Sequence, residues 1–122
     1  MTASTDLPRP RQGEIWLTAF GAARLGEPSK TRPALIVSAD GLISGSAFDL
    51  AIVAPISASL PPTQSRPVIR ATPDTGLTTD SVVVVRAVRS LSRTRLLLRL
   101  GLADAPIMAT VQDILVALLG LP

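Results

Sequence analysis

The residues able to do chemistry in this chain of 122 form a restricted set, because it contains neither histidine nor cysteine. That excludes the usual zinc sites, Cys–His and Ser–His nucleophile pairs and two-histidine ribonuclease chemistry. It also excludes any disulfide framework. Catalysis must therefore rest on Arg, Lys, Asp, Glu, Ser, Thr or backbone amides. Eleven Arg and one Lys stand against nine acids, for a formal charge of +3. A guanidinium offers a planar, bidentate grip on phosphate or carboxylate, so an excess built from Arg suits a phosphate-bearing partner. Codon usage in a GC-rich genome produces the same excess, together with Ala, Leu and Pro, so charge alone leaves both readings open. Arg86, Arg89, Arg93, Arg95 and Arg99 make a basic segment. Each of these is open to two readings, a phosphate contact or a solvated strand face. Trp16, Phe20 and Phe48 are the only aromatics, too few for a platform of stacked bases.

The elements that must position such residues are short. Gly13–Phe20 sets Ile15, Leu17 and Ala19 against Trp16, Thr18 and Phe20, the alternation of a strand with one face more apolar than the other. Gly21–Lys30, with Gly21, Gly26 and Pro28, reads as an exposed loop. Pro33–Ala39 and Ala51–Ile56 are aliphatic runs of strand length, joined by a hairpin-like Asp40–Asp49. Ser59–Gln64, with Pro61-Pro62, is a second loop; Val68–Ala71 has the length of a short strand, and Thr72–Asp80 is a turn region. Ser81–Val88 carries four consecutive valines and predicts a strand buried on both faces. Ser92–Leu96 fits one helical turn before a strand at Leu97–Leu102. Asp104 can cap a helix with Pro106 in its first turn. Ile107, Val111, Ile114, Leu115 and Leu118 share one face of it, and Gly120 stops it. Five to seven short strands with a C-terminal amphipathic helix predict a small β-barrel capped by helix.

The chain is long enough for one compact domain. At 47% apolar and 17% charged it can bury a core. Residues 1–12 read as a flexible arm and 13–122 as the folded domain. The polar start is no signal peptide, and no apolar run reaches the roughly 20 residues that span a bilayer. A cytoplasmic protein without membrane contact is expected.

Four segments, read in order, carry a resemblance. They are Gly13-Glu14-Ile15-Trp16; Glu27 with Lys30-Thr31-Arg32-Pro33-Ala34-Leu35-Ile36-Val37-Ser38; Ile52-Val53-Ala54-Pro55-Ile56-Ser57; and a second half with Gly76-Leu77, Asp80–Val84, Val88–Leu91 and Ala117–Leu121. They are similar to the opening strand, the "E-x4-RP" signature, the "V-x-P-[IL]-[TS]" strand end and the remainder of the MazF/PemK/Kid family. Their order and spacing cover about residues 11–121. The resemblance implies an SH3-like barrel shared with CcdB, mainly β with a C-terminal helix, and a two-fold homodimer. It also implies a toxin of a type II toxin–antitoxin system: an endoribonuclease that cuts single-stranded RNA without metal or other cofactor. Attack by a ribose 2′-OH would leave a 2′,3′-cyclic phosphate and a 5′-OH.

In that chemistry the nucleophile belongs to the substrate, and the protein must align the phosphate, move protons and stabilise charge on the phosphorane. Arg32 matches the family's catalytic arginine; it suits charge stabilisation and proton donation to the leaving oxygen, and is an awkward general base. Ser57 matches the second catalytic position, commonly Thr, where a hydroxyl can donate to phosphate or orient the 2′-OH. Glu27 matches the acidic position. It can accept the 2′-OH proton, orient Arg32 through an ion pair (the role favoured here), or be a solvated loop charge. Lys30, Thr31, Arg66, Arg86 and Arg89 are expected to contact RNA, and Trp16 to lie in the core or a dimer interface, with RNA stacking as the lesser alternative. Ala87 and Ser44 depart from the Gln and Asn that family members often carry, so base recognition does not transfer. The implied partners are the RNA and a cognate antitoxin with an acidic C-terminal segment. A competing reading is a non-catalytic CcdB-like barrel that binds a protein target such as gyrase.

Overall fold

The structure, a computed structural model, describes residues 8–21, 30–43, 46 and 49–122. Seven strands and one helix follow in the order β1 (Glu14–Ala19), β2 (Thr31–Ile36), β3 (Leu50–Ser57), β4 (Val68–Ile69), β5 (Ser81–Val83), β6 (Arg89–Ser92), β7 (Leu96–Leu102) and α1 (Ala105–Leu118). The sheet runs β4-β5-β3-β2-β1-β7, with β6 also paired to β3. The result is the mainly β, curled half-barrel with a C-terminal helix that the resemblance implies. No described helix is long and apolar enough to cross a membrane.

The curl originates in β3. One edge of this eight-residue strand takes β2, while the other takes β6 along Leu50–Val53 and β5 at Ile56–Ser57. Two strands sharing one edge must be joined by a bend, and the valine run supplies it. A strand was expected through Val88, but β5 ends at Val83 and Val85–Ala87 form a 3-10 turn. Val84 leaves the sheet with its N–H on the Pro55 carbonyl at 2.8 Å. The expectation of burial holds for Val82, Val83 and Val85, yet a turn satisfies it as well as a strand does. Arg89–Ser92 pairs with β3, although its sequence carries no strand pattern of its own; its partner imposes it.

Alternation along β1, β2 and β3 builds two cores on opposite faces. Ile15, Leu35, Ala54 and Ile56 join Val83, Val85 and Val111 beneath α1. Trp16, Ala34, Ile36, Ala51 and Val53 join Ile43, Leu91 and Leu96 inside the curl. Asp104 caps α1, its Oδ1 accepting from the Ile107 N–H at 3.0 Å. The helix buries Val111, with Ile107, Ile114 and Leu115 packed beside it. Leu118 was expected on this face but remains 41% exposed, because the core ends before the last helical turn. At Gly76 the φ is +69°, and a Cβ would meet the Leu100 carbonyl oxygen at 2.0 Å; only glycine lets this turn close on β7.

The residues just before β1 make contacts of their own. Pro10 is buried, the Arg11 N–H donates to Glu14 at 2.7 Å, and the Gln12 N–H donates to Asp40 at 2.7 Å. Residues 1–7 lie outside the described residues.

Candidate active site

Arg32 and Ser57 come together through strand register. Pairing of Ala34 with Pro55 and Ile36 with Val53, continued two residues along the same strands, sets Arg32 across from Ser57. Strand alternation puts both on the face that carries Trp16, Ala34 and Val53. On the other edge of β3, Arg89 pairs with Val53 and shares this face. The curl carries its side chain to the end of β1, where Nη1 donates to the Phe20 carbonyl at 3.4 Å. The Phe20 N–H in turn donates to the Lys30 carbonyl at 3.0 Å, so Lys30 borders the same corner. Arg95 reaches this place as well, its Nη1 on the Ala19 carbonyl at 3.3 Å.

Three expected RNA contacts lie elsewhere. Thr31 pairs with Ala19 and alternates onto the face opposite Arg32. Arg66 and Arg86 line a separate cleft with Val84, Ile114 and Leu118. The loop 58–66 runs from Ser57 to that cleft. Glu27 and Ser44 lie outside the described residues. Ala87 ends the 3-10 turn and is exposed.

Among the described residues the corner is cationic. Arg32 is exposed and makes no side-chain hydrogen bond or ion pair with a described residue. The ion pairs among described residues are Arg11–Asp40, Arg70–Asp80 and Arg99–Glu14, and none neutralises Lys30, Arg32 or Arg89. No group of three or more Asp or Glu among the described residues could hold a metal ion. Exposed guanidinium groups with unfilled donors can take a phosphate without first giving up a carboxylate.

Ser57 is in a different position, being only 7% exposed. Its Oγ accepts from the Ser59 N–H at 3.2 Å and the Leu60 N–H at 3.3 Å, and lies 3.3 Å from the Ser59 Oγ. A serine ending a strand and binding the next loop is common in folded proteins, and the same contacts also hold its hydroxyl in one orientation. Ser59 escaped the reading of the sequence; the Ser-x-Ser spacing at a strand end is the one signal that points to it.

Two arginines of the basic segment are committed elsewhere. Arg93 is 2% exposed, stacked 4.9 Å from the Trp16 ring centroid. It donates to the Pro8 carbonyl at 2.7 and 3.0 Å and to the Leu96 carbonyl at 3.0 Å. Burial lowers its pKa from the usual arginine value. Arg99 pairs with Glu14, which also accepts from Trp16 Nε1 at 3.2 Å. Trp16 is thus a core residue, as expected.

Residues 11–119 match the family described as PemK-like, MazF-like toxin of type II toxin-antitoxin system. Among solved structures, the chain is similar to the MazF of Deinococcus radiodurans at 24% identity and a TM-score of 0.73, covering 93% of this chain and 99% of that one. A MazE-MazF structure from the same organism matches at 26% identity and a TM-score of 0.74, over 93% and 97% of the two chains. An endoribonuclease in complex with its cognate antitoxin, from Mycobacterial species, has the same fold at 18% identity and a TM-score of 0.64, covering 93% and 95%.

Proposed function

Since the chain belongs to the PemK-like, MazF-like family of type II toxins, a family of endoribonucleases, we propose that it cuts single-stranded RNA without a metal ion, at the corner formed by Arg32, Ser57 and Arg89. The observation that carries this reading is the pairing of Ala34 with Pro55, which, continued two residues along both strands, sets Arg32 across from Ser57 on one sheet face. A phosphate lying between them meets a guanidinium fork on one side and a hydroxyl pair on the other. The ribose 2′-OH attacks the adjacent phosphorus. Arg32 stabilises the charge gathering on the phosphorane oxygens and donates toward the departing 5′-oxygen. The wall around Ser57 supplies hydroxyl hydrogen bonding to a phosphate oxygen. Glu27, five residues before Arg32 in the sequence, orients the guanidinium or takes the 2′-OH proton.

Lys30 and Arg89 hold flanking phosphates, and the loop 58–66 leads the strand toward Arg66 and Arg86. The chain has no histidine or cysteine, and among the described residues no three carboxylates gather to hold a metal ion. Incubation with a defined RNA pool in EDTA tests the reading. Fragments should carry 2′,3′-cyclic phosphate and 5′-OH ends, and strict dependence on Mg²⁺ overturns it.

The apolar surplus at the end of α1 and just beyond it supports a homodimer. Val116 and Leu118 (each 41%) are exposed on the last helical turn, and Leu119 (64%) and Leu121 (55%) just beyond it. A two-fold contact buries such a surplus on both copies at once. Light scattering should find a dimer at micromolar concentration; a monomer contradicts this part of the proposal. The remaining partner is a cognate antitoxin whose acidic C-terminal segment occupies the cationic corner in place of RNA. A peptide of that segment should compete with RNA for binding.

A further inference from the structure

The hydroxyl of Ser57 has its bonding capacity filled by its own loop. A serine oxygen accepts through two lone pairs and donates one hydrogen. The Ser59 and Leu60 N–H groups both point at Ser57 Oγ, at 3.2 and 3.3 Å, and use both lone pairs. The third contact, 3.3 Å to the Ser59 Oγ, then has one consistent sense: Ser57 donates and Ser59 accepts. If Ser59 donated instead, three donors would face two lone pairs. Burial reinforces this direction, since Ser57 is 7% exposed whereas Ser59 is exposed. The side chain pinned in the wall ends on the one that faces outward.

We propose that Ser59 is the hydroxyl that meets the phosphate, with Ser57 behind it as the first member of a two-hydroxyl relay. The proposal rests on the reading of this corner as a phosphate site. Ser57 O–H donates to Ser59 Oγ, and Ser59 O–H donates to a non-bridging phosphate oxygen. No proton is transferred and no charge is created. Accepting one hydrogen bond polarises the Ser59 hydroxyl and strengthens the one it gives, an effect that grows as charge builds on the phosphorane. The relay also explains how serine serves at position 57, where the family more often has threonine. A threonine methyl restricts the side-chain rotamer; here the two amide N–H groups hold the oxygen instead.

Steady-state cleavage of one defined RNA by a panel of variants tests this. Ser59→Ala removes the outer hydroxyl but keeps both amide clamps. It should lower kcat by about tenfold to a hundredfold, the range expected for one hydrogen bond to a charged group. KM should stay within about twofold, because the bond strengthens only as charge develops. Ser59→Thr keeps the hydroxyl and should restore most of kcat, a recovery that a merely structural role of the loop does not require. Ser57→Ala should cost a similar factor, and the Ser57→Ala/Ser59→Ala double variant should be little worse than the poorer single one, since a chain is broken only once. Wild-type kcat in Ser59→Ala overturns the relay, as do losses that multiply in the double variant. Wild-type turnover in Arg32→Ala has a different meaning: the phosphate-site reading itself has failed. Loss in Arg32→Ala and Ser57→Ala with none in Ser59→Ala rejects the relay alone.

Discussion

Two groups of arginines share one face of the curled sheet and differ in whether the fold has filled their donors. Arg93 and Arg99 sit near the start of β1, the first wedged over Trp16 with three bonds to backbone carbonyls, the second paired with Glu14. Arg32 stands at the far end of the same face, exposed and without a described side-chain partner. Arg89 is intermediate, with a 3.4 Å bond to Phe20 among the described residues. Burying a guanidinium costs several kcal/mol unless its donors are satisfied. The carbonyls of Pro8 and Leu96, together with the indole face, offset that cost for Arg93. Arg32 escapes the cost through its exposure. Its donors, which no described residue fills, are available to a ligand, whereas those of Arg93 are consumed in holding Pro8 and β7 in place. A guanidinium becomes a binding group where the fold withholds partners, and a structural clamp where it supplies them.

Substitutions should separate the two roles sharply. The largest effect is expected at Arg32. Arg32→Ala should lower RNA-cleavage turnover about 100- to 1000-fold, as removal of one oxyanion donor does elsewhere, with the unfolding midpoint unchanged. Arg32→Lys should recover little, because the fork is lost while the charge stays. A large stability loss without a turnover loss would make Arg32 a clamp like Arg93.

Arg93→Ala should show the reverse pattern. Two carbonyls lose their donors and the indole loses its cover, so urea denaturation should report a loss of about 2–4 kcal/mol. Turnover per folded molecule should change by less than about threefold. A specific catalytic defect at full stability would erase the distinction.

A smaller change is expected at Glu14, where the carboxylate is 10% exposed but its Arg99 partner is 48% exposed. Glu14→Gln keeps an acceptor and removes the ion pair, and solvent on the arginine side limits the loss to about 1 kcal/mol. Raising salt should shrink the difference from wild type further; no salt dependence would mean that packing rather than charge holds this corner.

The least effect is expected at Asp80, an exposed carboxylate paired with Arg70 rather than with either arginine group. The Ala71 N–H first, and then the Arg70 guanidinium, hold its carboxyl below the ordinary aspartate pKa. A pKa lower in the folded state means stability that is present above the unfolded value and lost as pH falls through the folded one. Asp80→Asn should therefore be slightly less stable than wild type at neutral pH, and the two should converge under acid. Divergence as pH falls would reverse the assigned sign.

Much of the fold is legible in the order of residues. Alternation marks β1, β2 and β3, the Asp104 cap and Gly120 bound α1, and the missing histidine and cysteine confine the chemistry to guanidinium, hydroxyl and carboxylate groups. These are local properties, governed by side-chain period, cap geometry and functional-group inventory. That Arg32 and Ser57 belong to one site is legible only through the family resemblance, because no local pattern relates positions on two strands. The break after Val83, the strand at Arg89–Ser92 and the fate of each arginine depend on the curl. Arg93 meets the Pro8 carbonyl and Arg99 meets Glu14 across 85 residues of sequence in each case. Sequence alone supplied a row of equivalent cations. Tertiary structure decided which of them are consumed, because a guanidinium is satisfied by whatever carbonyls and carboxylates the folded sheet brings within about 3 Å of it, and that neighbourhood does not exist until the sheet has closed.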